Sequence, residues 1–183
     1  DVVIPEGVER IGNYWFADCG VESVTIPASV RSIGGHAFSR CRNLRRVAFD
    51  PGSGLERMGE GCFCGTGIEE IALPAALRLI GREVFFSCGS LRSITVPTDS
   101  RLVETGRDAF LGLRSLEVVW VRGDGPIRIQ ACLPQVPILA MPERSEAKGG
   151  RAPALAEVRR AVIPEGVTAV GAGWFQIGSI EAA

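Results

Sequence analysis

The segment Val21–Asn43, VESVTIPASVRSIGGHAFSRCRN, contains the pattern that decides the fold. Its Gly34 is followed four residues later by Phe38, and the same Gly/Phe pair recurs along the chain. The glycines lie at 12, 34, 59, 81 and 106, which are 22, 25, 22 and 25 residues apart, and the phenylalanines lie at 16, 38, 63, 85 and 110. Self-similarity at such a period predicts a solenoid of stacked coils.

Each position of the pattern has a physical reason. Alternating apolar residues, as in Val24 and Ile26, predict a short strand with one buried face, and a following proline ends it. The repeated glycine suits either a positive φ or close backbone packing between coils. The Ala-Phe pair predicts a small and a large side chain that point inward from a single helical turn. Parallel strands are expected near 24–26, 47–49, 71–73, 94–96 and 119–121.

A single coil of this kind is not stable alone. Its apolar side chains contribute roughly 1.5–3 kcal/mol each on burial, whereas each ordered backbone unit costs about 1–2 kcal/mol. Stability must therefore arise between neighbouring coils, which share buried faces and hydrogen-bond their strands.

The pattern also reaches the ends of the chain. The run VIPEGV at 3–8 returns at 162–167, and Trp-Phe at 15–16 returns at 174–175. Residues 122–160 lack the Gly/Phe pair, but VPILAMP at 136–142 fits the strand template. We interpret 1–121 as regular repeats, 122–160 as degenerate repeats with a looser loop, and 161–183 as a regular repeat. An inserted linker at 122–160 is the alternative.

The repeated coil resembles the BspA-like leucine-rich repeat, whose core reads I-P-x-S-V-x-x-I-G-x-x-A-F-x-x-C. This chain departs from it at Thr66 and Leu113, which replace the cysteine. The resemblance implies a right-handed solenoid of about seven or eight coils of 22–25 residues, with a parallel sheet on the concave face and short helical turns and loops on the convex side. It also implies a role in adhesion or recognition at the cell surface or after secretion. We expect this segment to belong to a longer array, because neither end offers a polar cap.

Composition excludes several classes of partner. The chain has 20 basic and 21 acidic residues and a formal net charge of −1. This balance favours neither nucleic acid nor an anionic membrane. No apolar run approaches the roughly 18–20 residues that a membrane helix needs. A hydrophobic content of 46% predicts a packed core rather than disorder.

Candidate chemical groups have ordinary structural explanations. His36 is the single histidine, and its phase predicts the outer side of a coil, without the partner that a catalytic histidine needs. Cys19, Cys41 and Cys88 share one phase, which predicts buried thiols in a column. Cys19 and Cys41 lie in adjacent coils, so a disulfide is conceivable on distance, but parallel side chains favour free thiols.

The motif Cys62-Phe63-Cys64 lacks the four ligands that zinc needs. We expect Cys62 to be buried and Cys64 to be more exposed. No cofactor or metal is expected, and free buried thiols are compatible with a cytoplasmic location as well. Arg122-Gly123-Asp124 spells an integrin-recognition tripeptide, but three common residues more often form a simple turn.

A column of charges accompanies the strands. Directly after the first aliphatic residue of each strand, the sign alternates through Glu22, Arg45, Glu69, Arg92 and Glu117. Opposite charges on neighbouring strands contribute roughly 0.2–1 kcal/mol per pair, which favours a role in setting the register between coils over a ligand site.

The outward strand positions form the candidate binding surface. We expect a partner protein to contact Arg46, Glu70, Thr95, Val118 and Trp120, because tryptophan and arginine are enriched where binding energy concentrates. The predicted function is a non-catalytic protein-interaction or adhesion module that binds on the concave face. The alternative is a structural spacer within a larger surface or intracellular protein. An enzyme would need a convergent polar pocket, which this periodic layout does not supply.

Overall fold

The computed structural model describes residues 1–97, 99–122, 138–141 and 160–162. Short strands alternate along the chain with turns. They are β1 (Val2–Val3), β2 (Arg10–Ile11), β3 (Ser23–Ile26), β4 (Ser32–Ile33), β5 (Arg46–Phe49), β6 (Arg57–Met58), β7 (Glu70–Ala72), β8 (Leu79–Ile80), β9 (Ser93–Val96), β10 (Glu104–Thr105), β11 (Val118–Arg122), β12 (Ile138–Met141) and β13 (Arg160–Val162).

The strands form two sheets, one on each side of the coils. The large sheet has the order β1-β3-β5-β7-β9-β11-β12-β13, and the small sheet has the order β10-β8-β6-β4-β2. A coil is one strand of the large sheet, the next strand of the small sheet and the turn that follows. The five strands expected from the sequence are present and pair in parallel. The described part contains about four turns of solenoid, and the expected total of seven or eight extends beyond the described residues.

A column of phenylalanine rings fills the space between the sheets. Phe38, Phe63 and Phe85 are fully buried. Successive rings of the column, from Phe16 to Phe110, stack with centroids 5.0, 5.4, 6.0 and 5.7 Å apart. Near-parallel rings at this spacing bury large apolar surfaces against one another. The core is therefore continuous from coil to coil, as the sequence pattern predicts.

The expected helical turns are wrong for the described residues, in which no helix is present. The residues two and six positions after each repeated glycine have positive φ instead, as in Tyr14 (60°) and Asp18 (56°). This conformation points alternate N–H groups toward the next coil. Tyr14, Phe16 and Asp18 donate to carbonyls of the next coil at 3.1, 2.8 and 2.8 Å. A helix would use those donors internally, so bonding between coils replaces helical bonding.

The repeated glycines permit close packing between coils rather than positive φ. An added Cβ at Gly34, Gly59 or Gly81 would lie under 3.0 Å from backbone atoms of the preceding coil, and one at Gly106 would be closer still. Positive φ is absent from the repeated glycines, all of which are described. Of the two explanations that the sequence allows, close backbone approach is the correct one.

The last described strand departs from the parallel stack. β11 and β12 pair in parallel, from Val119 with Ile138 to Arg122 with Met141, as the template at 136–142 predicts. β13 pairs with β12 in antiparallel register, with Leu139 opposite Ala161. The parallel coil expected at Val158–Ile163 is therefore wrong at β13.

Candidate binding surface

Two of the candidate residues lie side by side on the outer face of the large sheet. Register places Arg46 of β5 opposite Glu70 of β7, and both side chains are exposed. The same row continues to Ser23 on one side and to Ser93 and Val118 on the other. Because neighbouring strands lie about 4.8 Å apart, Arg46 and Glu70 place opposite charges side by side on adjacent strands.

A second row runs parallel to the first and consists of smaller residues. It pairs Thr25 with Ala48 and Ala72 with Thr95, and Thr95 in turn with Trp120. Ala48 and Ala72 are exposed, and Thr95 is half-buried. The backbone of β11 places Trp120 in this row, opposite Leu139 of β12. The side chains of Val118 and Trp120 lie outside the described residues, so their part in the surface remains a prediction.

The alternating charges form the column that the sequence predicts. Arg45, Glu69, Arg92 and Glu117 each donate a backbone N–H to the preceding member of the column, at 2.8, 3.2, 2.8 and 2.9 Å. One side-chain ion pair joins Arg45 Nη1 to Glu69 Oε1 at 2.7 Å. These side chains are 64% and 50% exposed, so water screens the pair and its contribution lies in the range of about 0–1 kcal/mol.

A second alternating column accompanies the small sheet and was missed by the sequence analysis. Its members lie three residues before the first four repeated glycines: Glu9, Arg31, Glu56 and Arg78. Arg31, Glu56 and Arg78 each donate the backbone N–H to the carbonyl of the member before, at 2.8–2.9 Å. The period that reveals the first column also reveals this one. Both edges of the solenoid therefore alternate in charge from coil to coil.

The cysteine column is buried except at its first member. Cys41, Cys62 and Cys88 are free and buried, and Cys64 is half-buried, as predicted. The prediction for Cys19 is wrong because this thiol is exposed. Cys41 and Cys88 each donate to the phenylalanine carbonyl of the preceding coil, at 2.8 and 3.0 Å.

Burial also governs the chemistry of these thiols. Loss of hydration raises the pKa of the Cys41 and Cys88 thiols, and it raises the pKa of Cys62 well above its ordinary value. A thiol that stays protonated is a poor nucleophile and a poor metal ligand. These three cysteines therefore serve as small apolar core residues.

His36 lies half-buried on the turn side of its coil, and its ring packs between coils. It stacks on Tyr14 with centroids 5.1 Å apart, and an added Cβ at Gly61 would meet the ring on its other side. Within the described part of the chain, no group of His, Cys, Asp or Glu could hold a metal ion. Of the Arg122-Gly123-Asp124 tripeptide, Arg122 ends β11 and the other two residues lie outside the described ranges.

Comparison with known sequences identifies the repeat. The model of the BspA type leucine rich repeat region matches residues 1–120 in six copies. A search of curated proteins finds no match.

In the described ranges no helix is long and apolar enough to cross a membrane.

Solved structures of bacterial repeat proteins share the fold. A leucine rich cell surface protein of Faecalibacterium prausnitzii A2-165 is 30% identical with a TM-score of 0.61, and the match covers 67% of this chain and 32% of that one. The T. pallidum leucine rich repeat protein is 33% identical with a TM-score of 0.59, over 65% of this chain and 57% of that one. The pneumococcal vaccine antigen PcpA is 29% identical with a TM-score of 0.53, over 66% and 27%. The matched region therefore spans less than two thirds of each of these proteins.

Proposed function

Because this chain belongs to the BspA-type leucine-rich repeat family, we propose that it is a non-catalytic interaction or adhesion module that binds a partner protein on the outer face of its large sheet. Repeats of this family generally mediate protein interactions or adhesion. The observation that carries the proposal is the exposed Arg46–Glu70 pair, which joins the parallel strands β5 and β7 within the large sheet. Solenoids commonly bind along such extended surfaces.

The sheet face suits a protein partner better than a small molecule. Its two rows combine opposite charges with the small apolar side chains of Ala48 and Ala72. A surface of this kind matches the polar and apolar mixture of protein interfaces. A location at the cell surface is supported by the F. prausnitzii neighbour, which is described as a cell surface protein.

A structural spacer is the second candidate, and one observation favours it. The side chains of the second row are small, and at β9 both rows are partly covered. Thr95 of the second row is half-buried, and Ser93 of the first row is buried. A face without large side chains offers few anchors for tight binding. Under this hypothesis the stack holds flanking segments apart, and its outer face has no partner.

A protein microarray distinguishes the two candidates. The wild-type chain is compared with the double variant Arg46→Ala, Glu70→Ala, and with a matched control, Arg57→Ala, Glu104→Ala, which removes the same charges from exposed positions of the small sheet. We expect array signals that fall at least about tenfold in the first variant and persist in the control. Signals that neither variant changes would refute binding on the large sheet, and a complete lack of signals would favour the spacer.

A further inference from the structure

The large sheet opens between β5 and β7. β3 and β5 pair over four residues and β7 and β9 over three, but the register of β5 with β7 consists of Arg46 and Glu70 alone. Beyond that pair the strands diverge and leave the β5–β7 groove, which is lined by residues 47–50, 52, 53 and 72–75. Its volume is about 440 Å³, within the roughly 300–1,000 Å³ that is typical of ligand sites.

Hydrogen bonds hold the two walls of the groove from outside. The wall formed by the loop after β5 bonds to the preceding coil, where Asp50 N–H donates to the Ile26 carbonyl at 3.0 Å and Gly54 N–H to the Ala28 carbonyl at 3.1 Å. The opposite wall bonds to the following coil, where Leu73 N–H donates to the Thr95 carbonyl at 2.8 Å. The opening is therefore built into the backbone of the fold.

One carboxylate stands in an apolar and small-residue lining. Val47, Phe49, Leu73 and Pro74 supply apolar walls, and alanines keep the groove open. Asp50 is the one ionisable residue of the lining, all of which belongs to the described residues. Asp50 is half-buried, and within the described part of the chain its carboxylate forms neither an ion pair nor a hydrogen bond. A carboxylate that has lost some hydration and has no partner favours a cation.

We propose that the β5–β7 groove binds a lysine or arginine side chain of a partner protein. The methylene stem of such a side chain packs on Phe49 and Leu73, and its charged head bonds to the carboxylate of Asp50. The inference rests on the proposed function, which supplies the partner protein. It adds that the partner presents a cationic side chain, and it places that side chain next to Ala48 and Ala72 on the proposed binding face.

Other occupants fit the lining less well. An acidic side chain would meet the like charge of Asp50. A purely apolar side chain would fill the walls, but it would cover the carboxylate without bonding to it, which costs free energy. A long side chain with an apolar stem and a cationic end satisfies both parts of the groove.

Peptide titration of the ¹⁵N-labelled chain, followed by NMR, tests the proposal. The probe is acetyl-Ala-Lys-Ala-amide, and two control peptides carry norleucine or glutamate in place of lysine. We expect saturable shifts at the amides of Asp50, Gly52, Ala72 and Ala75 with the lysine peptide. Replacing lysine by norleucine, or Asp50→Asn in the protein, is expected to weaken binding about fivefold, the effect of one partly exposed ion pair. Asp99→Asn, in the corresponding loop after β9, where the residue is more exposed than Asp50, is the control variant and is expected to bind like wild type.

Three results would overturn the proposal: no saturable shift with the lysine peptide, equal shifts with the glutamate peptide, or unchanged binding in Asp50→Asn. Groove shifts that grow with protein concentration before any peptide is added would indicate a second copy of the chain and would also overturn it. The microarray separates this failure from that of the proposed function. Array signals that depend on Arg46 and Glu70 but not on Asp50 refute only the cationic side-chain site in the groove. Peptide binding without such array signals refutes only the proposed interaction module.

Discussion

Gly59→Ala tests whether the spacing between coils is set by backbone contact. An alanine Cβ at this position would lie 2.7 Å from Gly35 N, 2.8 Å from the Gly34 carbonyl carbon and 2.9 Å from the Ile33 carbonyl oxygen. Ordinary contacts begin near 3.4 Å, so the shortfall is 0.5–0.7 Å, from 3.4 minus 2.9 and 3.4 minus 2.7. All three neighbours are backbone atoms, which do not rotate away as a side chain does.

Two opposing effects determine how much Gly59→Ala changes the free energy of unfolding. Overpacking of a tightly packed site costs about 1–3 kcal/mol, and three simultaneous backbone contacts place this case near the upper end of that range. The alanine also reduces the conformational freedom of the unfolded chain, which stabilises the folded state by about 0.4–1 kcal/mol and partly offsets this cost. We expect a net loss of about 2 kcal/mol in the free energy of unfolding, measured from the shift of the urea midpoint at constant slope.

Two other glycines supply controls that separate crowding from backbone conformation. Gly89 has nothing within 4 Å of an added Cβ and no positive φ, so Gly89→Ala is expected to be neutral or slightly stabilising. Gly65 has a φ of 66° and only ordinary contacts, so Gly65→Ala is expected to cost about 1 kcal/mol from conformation alone. A Gly59→Ala variant within about 0.5 kcal/mol of wild type, the ordinary scatter of surface changes, would refute the argument from contact.

Three further predictions concern the core, the thiols and the sheet face. Phe63→Ala removes a fully buried ring that stacks on both neighbours, and we expect a loss of about 3–5 kcal/mol in urea unfolding; a loss below about 1 kcal/mol would contradict the continuous column. The raised pKa of Cys62 means that the folded chain holds this proton more tightly, so the related stability is complete below about pH 8.5, the ordinary value for a thiol, and is lost as the pH rises further. In Cys62→Ala, the thermal midpoint is expected to fall less as the pH rises above this value. A pH profile like that of the wild type would contradict the role assigned to the Cys62 thiol. Trp120→Ala is expected to weaken partner binding by about 2 kcal/mol with little change in thermal midpoint; lost stability with unaltered affinity would place Trp120 in the core.

The sequence predicted the strands and the core because both follow the period of the coil. Stacking forces residues of equal phase into one column, so the spacing of the phenylalanines predicts the stacked rings without further information. The same reasoning predicts that Arg46 and Glu70 are neighbours, since they occupy one phase in adjacent coils. The period assigns Cys19 the same phase as Cys41 and Cys88 and does not distinguish their exposure, which is why Cys19 was expected to be buried.

The conformation of the turns could not be predicted, because the side chains at those positions give little signal. Two positions in each turn have positive φ, and glycine occupies only three of them, at Gly61, Gly65 and Gly112. The other positions carry residues as different as Tyr14 and Arg40, for which this conformation is uncommon. The bonds between coils outweigh the local preference of these residues. Hydrogen bonding between coils therefore determines the conformation of the turn, and the residue types of the turn do not encode it.

The β5–β7 groove shows why variation in loop length was not enough to predict a site. The chain takes six positions from Phe49 to Leu55 and from Val96 to Leu102, but four from Leu73 to Leu77. Two loops are thus equally long, yet β9 and β11 remain paired over four residues beside the second of them. A long loop therefore does not open the sheet by itself. The Leu73 N–H also donates to the Thr95 carbonyl and holds the end of β7 against β9, but β11 is likewise paired with β12 on its other side and stays paired with β9. Such a preference between two neighbours depends on the relative strength of competing contacts, which the spacing of residues does not encode.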